Sequence, residues 1–461
     1  MSTTAPPATE ATPLLHTFER PSHGSEQRGS LPESSTNEGG FPQEEVFSQD
    51  PGAVKLDVQL FRSLLLDSIP GWCVALGGTT ALDTLGSQAF TGGVQKTDLS
   101  IHFQRCVILL WLLLIPVCIL WAFVEPILLA FGQPLFLARE AQKFLRVLIL
   151  GAPGPRYEKL KVFLGIMGAS TKILVIVSPI NLVLNVLFVH YTPLGVLGAP
   201  LAVAITYWLC FAFLGILTYF SSTHKQNGTW GGIQIAAVLD LRGSYEFLKL
   251  ALPGILMVGT EWAAFEIVAL AAGRLGEVPL AAQSVIMTTD QILNTLPFGI
   301  GVAASTRVGN LIGSRSPRGA KIAAHAAALL SVIVGAVVMT AMMLAKDVYG
   351  LLFSDDERVV LLIADGLAGS CGGVLRGQGR QHLGALFNLV AYYVLALPMG
   401  ITMAFHAKLN LGLQGLWIGQ VVALFIVGLG EYCVVWLGTD WDLEVKKGIE
   451  RNREEAKRRA T

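Results

Sequence analysis

Charge is what this chain has little of. Asp, Glu, Lys and Arg supply only 14% of its 461 residues, against about a quarter in soluble domains, while 52% are hydrophobic. So little charge excludes a water-clad globule. Uncharged runs over 107–124, 174–189, 199–220, 326–345 and 411–430 approach the ~20 residues that cross a bilayer, so the chain reads as a polytopic, all-α membrane protein. An excess of either sign is missing too: 33 basic residues balance 33 acidic ones, which leaves nucleic acid no electrostatic footprint. Cysteine is sparse. Cys73, Cys106, Cys118, Cys210, Cys371 and Cys433 fall mostly in apolar segments without paired spacing, which indicates neither a disulfide framework nor a zinc site. They read as packing residues. His190, His325 and His406 are isolated, so no metal and no cofactor is expected. A membrane-bound acyltransferase would need a His/Asp or Cys/His cluster, and the sequence offers none, so the chain reads as a non-enzyme.

Residues 1–55 are rich in Ser, Thr, Pro, Gly and Glu and too polar to collapse, so they read as a disordered tail without a signal-peptide layout. Glu10 with Leu14-Leu15 looks like an acidic dileucine sorting signal for vacuolar or endosomal delivery, and the location expected is a vacuolar or plasma membrane. Beyond the tail, 56–222 reads as an N-terminal helical lobe, 223–245 as a polar linker, 246–437 as a C-terminal helical lobe and 438–461 as a basic tail. Apolar runs place helices near 69–92, 105–130, 136–154, 157–178, 179–193, 196–222, 246–273, 279–304, 320–346, 358–376, 383–405 and 411–437. The pair meeting at Pro179 counts as one interrupted helix, which gives about eleven spans.

Lys96, Arg105, Arg156, Lys159, Lys161, His224, Lys225, Arg242, Arg307, Arg315, Arg318, Lys321, Arg376 and Arg380 occupy alternate connections, which read as cytoplasmic. The mixed charges of 446–459 predict a solvated amphipathic helix on the same face. That orientation makes the first span begin outside, as if a helix were missing before it. The join at Asp67-Ser-Ile-Pro-Gly-Trp72 passes from an amphipathic leader straight into mid-helix, as a lost segment would.

The halves echo each other. The pattern of Thr80 to Ser87 recurs at Ala303 to Asn310, Asn181-Leu-Val at Asn388-Leu-Val, and Leu194 to Gly198 at Leu411 to Gly415. Similar offsets of a little over 200 residues are the signature of a duplicated transporter half.

Glu261 and Glu266 sit inside the apolar stretch 251–273. A charge at mid-bilayer costs about 2.5 to 3.5 kcal/mol on insertion scales, so such acids face a protein interior or wet cavity and handle ions or substrate. At about 100° per residue the two project roughly 140° apart and line adjoining walls. Each has an aromatic one turn away, Phe265 after Glu261 and Trp262 before Glu266, whose ring faces attract an organic cation by about 0.5 to 2 kcal/mol each. Burial favours the neutral acid and a bound cation the ionised one, so proton and cargo compete.

The segments 79–90 (TTALDTLGSQAF), 261–266 (EWAAFE), 281–284 (AAQS), 297–313 (PFGIGVAASTRVGNLIG) and 372–381 (GGVLRGQGRQ) together resemble the multidrug and toxin extrusion (MATE) family, most of all its eukaryotic and fungal members. The resemblance spans about residues 56–445. It implies two pseudo-symmetric lobes, here with about eleven of twelve helices, working as a monomer among membrane lipids. The implied activity is export of organic cations, xenobiotics or metabolites in exchange for protons. It makes Glu261 and Glu266 the acids of the seventh helix and Asp365 that of the tenth, with Trp262, Gln283, Asn388, Tyr392 and Tyr393 as cavity positions. Some relatives carry another acid where this chain has Thr288, and Asp290, two residues on, falls on a different face. Segments missing relative to the pattern fall at Pro70-Gly71, near Leu164-Gly165 and between Val360 and Asp365.

Two other readings compete. An inactive truncated transporter would follow from the lost segments, and a lipid-linked precursor flippase would need a cationic cavity where this chain has acids. Asn181 and Asn185 read as interhelical glue, Gly86, Gly309 and Gly313 as close-packing positions, and Pro253 and Pro297 as kinks. Gly372 to Gly379 is not a nucleotide loop, because no strand precedes it.

Overall fold

The computed structural model describes residues 73–74, 76–130, 135–152, 167–220, 228–344 and 357–460. Every regular element among them is helical: α1 (Thr80–Gly92), α2 (Asp98–Ala122), α3 (Glu125–Ala130), α4 (Leu135–Leu148), α5 (Met167–His190), α6 (Gly198–Phe220), and the short α7 (Ile235–Val238). There follow α8 (Leu241–Leu275), α9 (Glu277–Gly313), α10 (Pro317–Leu344), α11 (Glu357–Gln378), α12 (Gln381–Asn388), a π-helical stretch (Leu389–Ala396), α13 (Leu397–Phe405), α14 (Leu413–Trp436) and α15 (Trp441–Ala460).

Seven stretches among the described residues are long and apolar enough to cross a membrane, and α12, the π stretch and α13 together make one of them, Gln381–Phe405. Helix α2 shows why: it is apolar on all sides, and Leu112, Ile115 and Ile119 stay exposed with no protein cover, as lipid-facing residues do. Helix α5 runs unbroken through Pro179, so the two runs that meet there are one helix. Over the expected helix at 136–154, α4 runs on into a 3-10 turn at Ile149–Gly151, and Arg139, Glu140, Lys143 and Arg146 mark it as amphipathic. Helix α8 begins at Leu241, inside the expected linker, because Asp240 caps it by accepting from the Gly243 N–H at 2.7 Å.

The tail 1–55, the dileucine, the Pro70-Gly71 and Leu164-Gly165 positions, and Arg156, Lys159, Lys161, His224 and Lys225 lie outside the described residues.

Helices α1 and α9, which carry the recurrent motif, pack on each other. Thr91 donates to the Asn310 carbonyl at 2.6 Å, and a Cβ at Gly313 would meet the Thr91 hydroxyl and the Gln88 carbonyl. Small residues thus let the repeated segments touch backbone to backbone. The same device joins α9 to α11, where a Cβ at Gly377 would stand 2.6 Å from the Ser305 carbonyl oxygen. Gly372 to Gly379 is therefore a helix-packing stripe. Asn181 donates to Thr206 at 3.0 Å and ties α5 to α6.

Helix α15 differs from its expectation as a solvated helix. Trp441, Glu444, Val445, Asn452 and Glu455 are buried. Asn452 donates to the Gln88 carbonyl at 3.1 Å, Arg451 donates to Gln88 Oε1 at 3.0 Å, and Glu455 pairs with Arg105 at 3.2 Å. This helix is docked against α1 and α2 at the end of the bundle that carries Gly313 and Gly379.

Candidate functional site

The C-terminal helices share a core that divides into an apolar and a polar part. Phe265 of α8, Tyr392 of the π stretch and Trp417 of α14 form the apolar part, with Phe265 ring centroids 6.3 Å from each of the other two. Trp417 Nε1 donates to Gln283 Oε1 at 2.8 Å. Gln283 and Tyr392 are both fully enclosed, so two residues expected to line a cavity are placed in the packed core. Phe265 is likewise turned into that core and is not an open ring face beside Glu261.

The polar part is built around one face of α8. Met257 and Glu261 lie one turn apart and so share that face. Asn388 donates to the Met257 carbonyl at 2.7 Å, and Tyr393 donates to the Thr260 carbonyl at 3.1 Å, which clamps the turn before Glu261 to the π stretch. Single π turns inside helices recur at functional sites, and this one falls in the middle of a span. Glu261 itself is half-buried, beside the half-buried Trp262.

Three further charges stand within electrostatic reach of this face. Arg376 of α11 acts on Glu261 and on Glu431 of α14, Glu261 acts on Glu431, and Asp290 of α9 acts on Glu261. Arg376 is buried at 7% exposure, and its Nε has no hydrogen-bond partner among the described residues. It was expected in a polar connection, and the structure instead sets it inside the bundle, because Gly369, Gly373 and Gly377 bring α11 against α9. Asp290 was expected to face elsewhere; its Oδ1 is shielded from solvent and finds no donor among the described residues.

The other acids stand apart. Glu266 is buried at 4% exposure, and five residues of helix turn it roughly 140° from Glu261. Asp365 lies on α11, with only its backbone among the described features. Asn388 is brought to the Glu261 face, whereas Glu266, Gln283 and Tyr392 are not. Glu431 escaped sequence reasoning because it follows the apolar run 411–430 by one residue, yet it carries the same signal as Glu261: an acid within a predicted span.

The MatE family model matches residues 65–191 and 253–402 of the chain. It belongs to the MATE family. A Schizosaccharomyces pombe protein described as an uncharacterized transporter is 38% identical over 81% of this chain and 71% of its own length. Multidrug and toxin extrusion protein 1 of Oryctolagus cuniculus is 33% identical over 77% of this chain and 64% of its own length. Among solved structures, a eukaryotic MATE transporter, AtDTX14, superposes with a TM-score of 0.76 at 30% identity, covering 86% of this chain and 90% of that one. This MATE chain is thus a multi-pass membrane transporter, in a family of transporters and not of enzymes.

Proposed function

We propose that this MATE chain exports organic cations, xenobiotics or cationic metabolites across a vacuolar or plasma membrane in exchange for protons, with Glu261 as the group the cargo meets. The observation that supports the reading is the charge balance around that residue. Glu261 and Glu431 share a single guanidinium, Arg376, and Asp290 adds a third carboxyl beside Glu261. Ionised together in a water-poor bundle, they would leave an excess negative charge, and uncompensated buried charge costs several kcal/mol per ion. Protons or a positively charged cargo can each supply the missing charge. Whichever enters displaces the other, and that displacement is exchange.

Glu261 suits the contact with cargo because it is half-buried and therefore reachable. Trp262 offers a ring beside it. Glu266 and Asp365 stand in this proposal as further protonatable groups on the same helices, and Asn388 as the residue that fixes the Glu261 turn. A flippase for an anionic precursor would need the opposite charge balance.

The experiment is transport in liposomes holding the full chain. With an acidic lumen, protons leave and labelled tetraethylammonium should accumulate, and a protonophore should abolish the accumulation. Glu261→Gln should fall to the level of protein-free liposomes at equal protein content. Accumulation by Glu261→Gln at the rate of the unaltered chain would refute its role.

A further inference from the structure

Among the described residues Glu431 is the most enclosed acid. Its side chain has no exposure to solvent, and neither carboxyl oxygen has a hydrogen-bond partner among the described residues. Backbone surrounds it where donors would be expected. A Cβ at Gly384 of α12 would stand 3.0 Å from Oε1, and one at Gly372 of α11 would stand 3.3 Å from Oε2. The Met257 thioether closes the remaining side, 2.6 Å from that same Gly384 position. No organic cation fits there. A proton does.

The charged and titratable groups that face Glu431 are few. Arg376 and Cys371 come from α11 and Glu261 from α8, while Asp290 of α9 faces Glu261 instead. Arg376 is not committed to either acid: its Nε is unpartnered, and no ion pair joins it to a carboxylate among the described residues. One guanidinium is therefore within electrostatic reach of two carboxyls of different access, one sealed and one half-open.

We propose that Glu431 is the proton-carrying group of the exchange cycle and that Arg376 relays its state to Glu261. This rests on the reading of the chain as a proton-coupled exporter and assigns the proton to a residue the cargo never touches. With a proton on Glu431, that acid is neutral, and Arg376 pairs with Glu261 and cancels its attraction for cargo. When the proton leaves, Arg376 turns to the Glu431 carboxylate, and the Glu261 charge is released to hold a cation. The Glu261, Glu431 and Arg376 group is neutral in both states. One proton is exchanged for one positive charge, and no covalent bond changes apart from the O–H of Glu431.

The test is equilibrium binding of labelled tetraethylammonium to the purified full chain across pH. The unaltered chain should bind more tightly as pH rises. Glu431→Gln mimics the protonated acid and should bind weakly at every pH, whereas Glu431→Asp should keep pH-dependent binding. The pair Glu431→Gln with Arg376→Gln should regain binding, with a weaker pH dependence than the unaltered chain that reflects only the carboxyls left, because Glu261 is left uncancelled; a purely structural role would make the pair worse than either change alone. Infrared difference spectra give a second readout that needs no cargo. Acidification should add a protonated-carboxyl band in the unaltered chain and in Glu431→Asp, and that band should be missing in Glu431→Gln.

Binding by Glu431→Gln with the ordinary pH dependence, or an unchanged infrared band, overturns this proposal. If Glu261→Gln still abolishes binding in that case, the exporter reading survives it. Cation binding by the unaltered chain without any pH dependence overturns both.

Discussion

Glu455→Gln should release helix α15 from the bundle. Glu455 Oε1 lies 3.2 Å from Arg105 Nη2, and the two side chains keep only 2% and 7% of their exposure. Removing one partner of such a buried pair costs about 3 to 5 kcal/mol, because the other charge is left uncompensated. Arg105 also donates to the Ala237 and Val238 carbonyls, at 2.7 and 3.3 Å, so part of its demand is still met. The lower end, about 3 kcal/mol, is therefore expected, equivalent to about a hundredfold shift in the docked fraction. Helix α15 carries several Lys and Arg residues, so trypsin reads that fraction directly when closing is fast relative to cleavage. Clipping within Trp441–Ala460 should accelerate by about that factor while the spans stay intact. Arg458→Gln should have little effect, since Arg458 is the more exposed partner and such pairs contribute about 0.2 to 1 kcal/mol. A Glu455→Gln rate within a few-fold of the unaltered chain would show that the pair behaves as an exposed one and that α15 is held by something else.

Other outcomes follow from the same geometry. Gly377→Ala places a Cβ 2.6 Å from the Ser305 carbonyl oxygen, backbone against backbone, and should lower thermal stability by about 1 to 3 kcal/mol or more. Gly299→Ala on the facing helix meets nothing within 4 Å and should be neutral or raise stability by up to about 1 kcal/mol, as a helical alanine does. Trp417→Phe leaves the buried Gln283 without its donor and should cost about 1 to 3 kcal/mol of stability, with tetraethylammonium affinity unchanged. A loss of affinity at full stability would return Gln283 to the binding site. Burial alone would push the Glu455 carboxyl up, but His102, Arg105 and Arg458 together hold it below the usual carboxylate range. Docking of α15 is thus strongest above that range and is lost as pH falls through the lowered value, which hydrogen exchange across Trp441–Ala460 should follow. Exchange that stays slow in acid would contradict that sign.

The helical class and the membrane habit were legible because they follow from composition and run length, which act over tens of residues. Of the segments whose patterns recur, Thr80 to Ser87 and Ala303 to Asn310 turn out to be packing partners, since the small residues that make the pattern are those that let α1 and α9 approach. Glu261 stood out as an acid in an apolar stretch. What could not be read was which neighbours close around it. Gln283 and Tyr392 carry polar atoms that suit a cavity equally well, and only tertiary packing puts them against Trp417 and Phe265. Arg376 looked like a connection residue because its place inside the bundle depends on glycine contacts between α11 and α9. Asp290 faces the Glu261 group from α9, and no helical wheel of α9 alone reveals that. Helix α15 looked solvated because its charges are evenly mixed, yet Arg105 and Gln88, more than 300 residues earlier, offer partners to its buried face.

The central claim, that positive cargo and protons exclude one another at the carboxyls facing Glu261, is tested most directly by proton release. Tetraethylammonium added to the purified chain in weak buffer should displace about one proton per bound cation, as competition for a shared charge requires. Glu261→Gln should show neither binding nor release. Saturable binding by the unaltered chain with no proton displaced at any pH would contradict the account.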